Sequence, residues 1–278
     1  MAPSSVLQAA GRLIDKTPAA RRAWDLIQLR ASGQLISRRR RKYSYRYLRG
    51  EGLEIGAMHL PLPVPPSARV RYVDRATRAE NLRTFPSLDP SKVIDPDIIE
   101  DGFALASVPD SSQDFLIACH VLEHSSNPVL ALENWWRVLR PNGALFLVVP
   151  LRDHCFDRGR VLTTVSHLID DYDLVKRGDD RTFAARNLEH YVEWTTISEP
   201  NLPDSPKTHT DAHQRARELA VEKSEIHFHT FSIDSFRELL QAFGRRPETP
   251  ATLVDLAALS SEVLGVLLKV QPRSATEA

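Results

Sequence analysis

The sequence predicts an α/β fold around a mostly parallel sheet covered on both faces. Two observations carry this. From Leu53 onward, short apolar runs rich in β-branched residues alternate with helical stretches. Such runs lie at residues 53–55, 70–73, 93–94, 115–119 and 144–149, and the last two are continuously apolar rather than alternating, as strands buried on both faces are. Between the last two, residues 129–139 read as a helix. It opens on Asn127-Pro128, cap then first-turn proline, and stops before Pro141-Asn142-Gly143.

The remaining elements follow from the same signals. Residues 5–15 read as a short helix with Val6, Leu7, Ala10, Leu13 and Ile14 on one side. A second opens at Thr17-Pro18, carries Trp24 and Ile27, and stops near Gly33. The basic run Arg38-Arg39-Arg40-Arg41-Lys42 comes next, then Tyr43, Tyr45 and Tyr47 at period two. Residues 151–225 are polar, with 11 Lys/Arg, 15 Asp/Glu and five of the ten histidines, and read as an irregular insertion with short helices. Residues 226–231 are extended. Ser232 caps a helix to about Phe243, which Gly244 ends, and residues 252–256 and 263–270 supply the last two strands. The chain thus divides into a basic helical arm, residues 1–50, and one domain, residues 51–278, carrying the insertion.

Composition narrows the class. The chain has 278 residues, 42% hydrophobic and 26% charged, which excludes a disordered, collagen-like or disulfide-framed protein. Cys119 and Cys155 are the only cysteines, so neither an oxidising compartment nor a four-cysteine zinc site is indicated. The longest apolar run, residues 144–151, is far short of the roughly 20 residues that span a bilayer. With no signal-peptide core at the start, the expected location is the cytoplasm. The net charge of zero hides an asymmetry: residues 1–50 hold 12 Lys/Arg and two acids, while residues 51–278 hold 24 against 34.

The strand ends make a cofactor argument. Strand one ends Leu53-Glu54-Ile55-Gly56-Ala57, and strand two ends Tyr72-Val73-Asp74-Arg75, with Asp74 eighteen residues after Gly56. A carboxylate at that place can grip both ribose hydroxyls of a nucleotide-like cofactor, and a glycine at the first turn lets backbone approach it. Asp101-Gly102 follows strand three, where Asp101 either takes an adenine amino group or caps backbone. His120 lies just past strand four, at the crevice where such sheets bind ligands.

Glu54-Ile-Gly56-Ala57, Tyr72-Val-Asp74-Arg75, Pro109-Asp-Ser-Ser-Gln-Asp114-Phe115, His120-Val-Leu-Glu-His124 and Arg137-Val-Leu-Arg-Pro-Asn-Gly143 resemble class I S-adenosylmethionine-dependent methyltransferases, of the branch often called type 11. The resemblance covers roughly residues 50–150. It implies a Rossmann-like, seven-stranded doubly wound sheet of order 3-2-1-4-5-7-6 with the last strand antiparallel. It implies S-adenosylmethionine as cofactor, with Gly56 beside its methionine part, Asp74 on the ribose and Asp101 near the adenine. Glu54, Ala57, Arg75, Gly102 and His120 complete the expected cofactor set. The sequence departs from the family's E-x-G-x-G-x-G loop, with Met58 and Leu60 in the later glycine positions. Pro61, Pro63, Pro65 and Pro66 then forbid a regular helix before strand two. Tyr45, Arg46 or Tyr47 of the arm are the expected substitutes for the lost helix N-terminus. The altered loop also keeps open an alternative, a non-catalytic binding or scaffold protein of the same fold.

His120, His124 and His154 are the candidate catalytic residues. His120 and His124 would share a face if helical. They are structural, contact cofactor or acceptor as a base, or bind metal. His227 and His229 raise the same question, with His154, His167 or His190 to complete a site, but without a cysteine pair or HExxH motif no metal is expected. The insertion is a surface embellishment or a lid over the acceptor, with Tyr172, Tyr191 and Trp194 as stacking walls. The acceptor expected is a small molecule or a glycan hydroxyl. The run Arg38–Lys42 is a solvated face, a contact to an anionic membrane surface, a nucleic-acid patch or a site for a phosphorylated acceptor. No recognition helix or RNA-binding signature accompanies it. The sequence is silent on oligomeric state.

Overall fold

The structure is a computed structural model that describes residues 37–202, 205 and 211–270. The helices expected at 5–15 and 17–33 lie outside them. The sheet comprises β1 (Gly50–Ile55), β2 (Ala68–Asp74), β3 (Ile98–Ile99), β4 (Gln113–Cys119), β5 (Leu139–Pro150), β6 (Ala251–Ala258) and β7 (Glu262–Lys269). Their order is β3-β2-β1-β4-β5-β7-β6. β7 runs antiparallel to β5 and β6, and the other pairs are parallel. This is the topology that the resemblance implied.

Side chains alternate between the two faces with the strand period of two. Leu116 and Ala118 of β4, and Leu145, Leu147 and Val149 of β5, point into one core. Phe115, Ile117, Ala144, Phe146 and Val148 point into the other. The first core is covered by α3 (Pro128–Val138), α4 (Val165–Lys176) and α7 (Ile233–Gly244), which contribute Leu132, Trp135, Leu168, Tyr172, Phe236 and Leu240. The second is covered by Leu48, Leu62, Val64, Tyr43 and Tyr47.

Residues 37–47 form helix α1, so the tyrosines do not extend at period two. Arg40, Tyr43, Ser44 and Tyr47, at helical spacing, turn inward, while Arg38, Arg39, Arg41 and Lys42 stay exposed. Residues 56–67 contain no helix, as the prolines required. The proline loop is instead clamped to α1, with Ser44 Oγ donating to the Pro63 carbonyl.

Two expectations are corrected. The third strand lies at Ile98–Ile99, not at 93–94. Asp89 caps a 3-10 turn, Pro90–Lys92, that leaves Val93 as a buried plug, and pairing with β2 begins only after Pro96. The insertion is also regular rather than irregular. It holds α4, α5 (Asp180–Glu193), a π turn (Trp194–Ser198) and α6 (Ala212–Glu222). Tyr191, Trp194, Ala216, Leu219, Ile226 and Phe228 give it a small core of its own. The proposed stacking residues Tyr191 and Trp194 are therefore packing residues, and Tyr172 belongs to the main core.

Candidate active site at the carboxyl rim of the sheet

The loops leaving β1, β2, β3 and β4 converge on one rim. The Gly56 N–H donates to the Val73 carbonyl (2.9 Å), and the Glu100 N–H to the Asp74 carbonyl (3.0 Å). Gly102 lies against Ile55 so closely that a Cβ there would meet its Cγ2 at 2.4 Å. Gly56 is exposed with φ +65°, a backbone that glycine adopts without strain. Met58 keeps a left-handed turn (φ 45°) where the family has a glycine. The loop therefore preserves its turn despite the missing residue.

Asp74, half-buried at the end of β2, is aimed by two donors: the Ala76 N–H to Oδ1 (3.0 Å) and the Asn81 amide to Oδ2 (3.2 Å). Asn81 is the one buried residue of α2 (Arg78–Thr84). Each carboxylate oxygen keeps a further acceptor site. Asp101 is exposed, and its Oδ1 accepts the Phe103 N–H (2.9 Å), the capping turn weighed above. Gly102 presents its carbonyl to the Trp135 indole (2.7 Å). Arg75 reaches across to Glu225 of the insertion (2.7 Å), both exposed. Ala57 is half-buried beside Gly56.

Glu54 is buried. Oε1 accepts the Leu62 N–H (2.8 Å), and Oε2 has no partner among the described residues. Burial pushes its carboxyl up to about 8, against the opposing Leu62 N–H and the Arg40 charge. An unpartnered buried oxygen next to an open glycine turn fits a nucleoside cofactor with a charged amino-acid tail. In that fit Gly56 and Glu54 border the tail and Asp74 holds the ribose.

None of the three expected arm residues turns to the rim among the described contacts. Arg46 and Tyr47 turn away to Asp255 (3.4 and 2.7 Å), and the Tyr45 ring lies under Arg41. Arg40 reaches the rim instead. Its Nε donates to Glu262 Oε1 (2.7 Å) and its Nη2 to Oε2, an arrangement shielded from water with Arg40 14% and Glu262 2% exposed. Burial raises the Glu262 carboxyl, but the bonds from Arg40 and His120 outweigh it and hold it below the usual range. Arg40 was not separable from its neighbours in a run of five basic residues; its helical spacing from Tyr43 and Tyr47 was the available signal.

His120 follows β4 with a left-handed backbone (φ 57°) and donates from Nε2 to Glu262 Oε2 (2.9 Å). That backbone breaks any helix from His120 to His124, so the two histidines do not share a helical face. His124 ends the 3-10 turn Leu122–His124 and donates from Nδ1 to the Ile226 carbonyl (3.0 Å). Between them Glu123 is wholly buried with neither oxygen hydrogen-bonded among the described residues. His154 is exposed on the turn Arg152–His154, and its side chain bonds to nothing among the described residues. The structure thus brings His120 to the rim and leaves His154 apart.

Beyond the rim, Arg160 is buried and anchors the insertion. It donates to Glu193 Oε2 (2.8 and 3.0 Å), to Asp157 Oδ1 (3.1 Å) and to the carbonyls of His227 and Phe228 (2.6 and 2.9 Å). No motif signalled this network.

Residues 67–147 match the family model for the type 11 methyltransferase domain. No curated protein matches the chain. Solved structures with a similar course include a Methanosarcina mazei S-adenosylmethionine-dependent methyltransferase, 16% identical over 82% of this chain and 96% of that one, TM-score 0.44. Another is a Thermotoga maritima methyltransferase described as a possible histamine N-methyltransferase, 15% identical over 88% and 97%, TM-score 0.41. The CurJ carbon methyltransferase matches 81% of this chain at 13% identity and TM-score 0.39, and this chain spans 50% of its length. Among the described residues no helix is long and apolar enough to cross a membrane. The matched segment and the strand order agree: residues 67–147 are similar to the type 11 methyltransferase domain, whose enzymes use S-adenosylmethionine as cofactor, and the sheet around them has the order that such a domain implies.

Proposed function

We propose that the domain methylates a hydroxyl oxygen of a small-molecule or glycan acceptor, with His120 as the general base. The observation that supports this is the chain Arg40–Glu262–His120 at the rim, beside the Gly56 turn. When bound, S-adenosylmethionine supplies a sulfonium methyl group that needs no further activation. The residues then have two tasks, orientation and proton removal. Glu262, accepting from Nε2, holds the ring in the tautomer that leaves the unshared pair on Nδ1, the nitrogen that stands 3.6 Å from Glu123 Oε1. The acceptor hydroxyl would give its proton to Nδ1 of His120 while its oxygen takes the methyl group that the bound cofactor would supply. Glu262 offsets the charge that forms on the ring, and Arg40 keeps Glu262 ionised and fixed. His120 is 40% exposed, so an acceptor can reach it. Asp74 and Gly56 hold the cofactor on the other side of the same turn.

The polar insertion, anchored by Arg160 and touching the rim at Arg75–Glu225, is read as the acceptor's cover. The exposed Arg38, Arg39, Arg41 and Lys42 suit contact with an anionic membrane, which salt-sensitive sedimentation with phosphatidylglycerol vesicles tests. For the reaction, the test is transfer of labelled methyl to hydroxyl-bearing sugars and small alcohols. With an acceptor in hand, His120→Asn should lower kcat at least about 100-fold and leave S-adenosylhomocysteine affinity within twofold. Undiminished turnover in His120→Asn would remove the base assignment.

A further inference from the structure

The insertion meets the rim at a group of side chains that the methyl-transfer reading does not use. Glu123 follows β4 by four residues, has no exposed surface, and accepts no hydrogen bond among the described residues. The His120 ring nitrogen nearest to it, Nδ1, is 3.6 Å from Oε1. A buried carboxylate without hydrogen bonds is a costly state unless a cation completes it.

Two histidines flank it. The rings of His124 and His227 meet edge to face, with centroids 4.6 Å apart. His124 Nδ1 donates to the Ile226 carbonyl (3.0 Å), and His227 Nδ1 donates to Asp157 Oδ2 (2.6 Å). A carbonyl or carboxylate on one nitrogen is how proteins fix a metal-binding histidine, because it directs the unshared pair of the other nitrogen outward. Here both rings have that arrangement, leaving Nε2 of each as the donor atom. Glu123, His124 and His227 offer ligand atoms within 4.8 Å of one another.

We propose that Glu123, His124 and His227 bind a first-row divalent cation, with zinc as the best match to two imidazoles and one carboxylate, and with Asp157 and the Ile226 carbonyl as the supporting shell. The ion neutralises Glu123 and pins the extended segment 226–231 to the turn after β4. This departs from the expectation of no metal drawn from the sequence. The spacing hid it, because the third ligand lies more than 100 residues beyond the first two and no short motif contains all three.

Two neighbouring groups are weaker candidates. His167, His190 and His229 also cluster. There, however, Arg186 donates to His167 Nδ1 (2.9 Å), and His167 Nε2 faces Asp171 (3.0 Å), so that ring has no free donor and a guanidinium stands beside it. Cys155, Asp157 and His227 form a third group, but burial pushes the Cys155 thiol up to about 12, and Asp157 already faces Arg160 and Ser198.

The test uses the full chain, stripped with a chelator, dialysed and titrated with Zn²⁺ against a chromophoric competitor. One ion per chain is expected. Glu123→Gln and His227→Asn should each weaken binding at least 100-fold, and Asp157→Asn by about 10- to 100-fold. His190→Gln should change it less than twofold. Co²⁺ substitution in the wild type should give ligand-field bands without thiolate charge transfer, a readout that does not depend on variants folding. Saturating Zn²⁺ should raise the wild-type melting temperature, and His124→Gln should abolish that rise. No binding by the folded wild type overturns the proposal. So does binding that survives both Glu123→Gln and His227→Asn, a thiolate band, or loss of binding in His190→Gln.

Discussion

On the β1–β2–β3 side of the rim Asp74 and Asp101 are shallow and Glu54 is buried, and the partners of all three are close in sequence. Asp74 is aimed by Ala76 and Asn81, Asp101 caps Phe103, and Glu54 takes the Leu62 N–H. On the β4–β5–β7 side the groups are buried, charged and joined over long distances. Arg40 pairs with Glu262, 222 residues away, and Asp157 with His227, 70 away. The first side needs only a strand end and a turn, so evolution can write it as a short motif. The second is made by bringing the arm, the insertion and the last strand onto one rim, and each partner sits in an unremarkable stretch of sequence. On the proposed reading, the cofactor contacts are local in this chain and the acceptor side is tertiary.

The sharpest way to break that contrast is to remove Arg40. Deleting one partner of a buried ion pair costs about 3–5 kcal/mol, because the other charge is left uncompensated. Arg40→Gln should lower the melting temperature by roughly 6–20 °C, at about 2–4 °C per kcal/mol for a domain of this size. Arg38→Gln or Arg39→Gln, on the exposed face of α1, should shift stability by less than about 0.5 kcal/mol. The double variant Arg40→Met/Glu262→Leu should recover most of the loss. Equal effects of Arg40→Gln and Arg38→Gln in thermal melts would mean that the arm is only a solvated face throughout.

The next effect is on pH dependence, where the two sides have opposite signs. Glu262 is held below the usual carboxylate range by Arg40 and His120 against its burial. Its contribution is therefore present above its unfolded value, about 4.3, and is lost as pH falls below that. Glu54 is raised to about 8 by burial. Its cost is absent in acid and grows as pH rises from about 4.3 toward 8, because the unfolded chain ionises there while the folded one does not. Denaturant melts across pH should show Glu54→Gln gaining on wild type as pH rises to 8. The stability gap between wild type and Arg40→Met/Glu262→Leu should shift in favour of the double variant below pH 4. Parallel curves for all three proteins would contradict both assignments.

The smallest effect expected is at the seam between the two sides. Arg75–Glu225 is an exposed ion pair, and such pairs contribute about 0–1 kcal/mol. Arg75→Ala should leave stability nearly unchanged, and raising salt should mask what remains. A large loss of stability would show that the insertion depends on this contact rather than on Arg160.

These differences explain what the sequence made legible. The strand order came from the resemblance, whereas the positions of Gly56, Asp74 and Asp101-Gly102 at the rim were readable because each is set by a strand end and its turn. The absence of a helix after β1 followed from four prolines. Val93-Ile94 misled because apolarity alone does not distinguish a buried plug from an edge strand, and Pro90 and Pro96 displaced the pairing to Ile98. The insertion's helices were hidden by their polarity, since α5 and α6 pack chiefly on each other and need only a narrow apolar stripe. Arg40, Glu262 and Glu123 were hidden because burial of a charge is decided by its distant partner.

The account's central claim is that the β1–β2–β3 side holds the cofactor through Asp74. Calorimetric titration of the full chain with S-adenosylhomocysteine, for wild type and Asp74→Ala, tests it most directly. The carboxylate accepts charge-assisted hydrogen bonds of about 1.5–3 kcal/mol each from a ribose diol, so its removal should weaken binding by at least about 2 kcal/mol, more than tenfold. Asp74→Asn should fall between, and the melting temperature of the unliganded variants should drop little. One saturable site per chain with that loss supports the account. A folded wild type that gives no binding, or an Asp74→Ala variant that binds equally well, would contradict it.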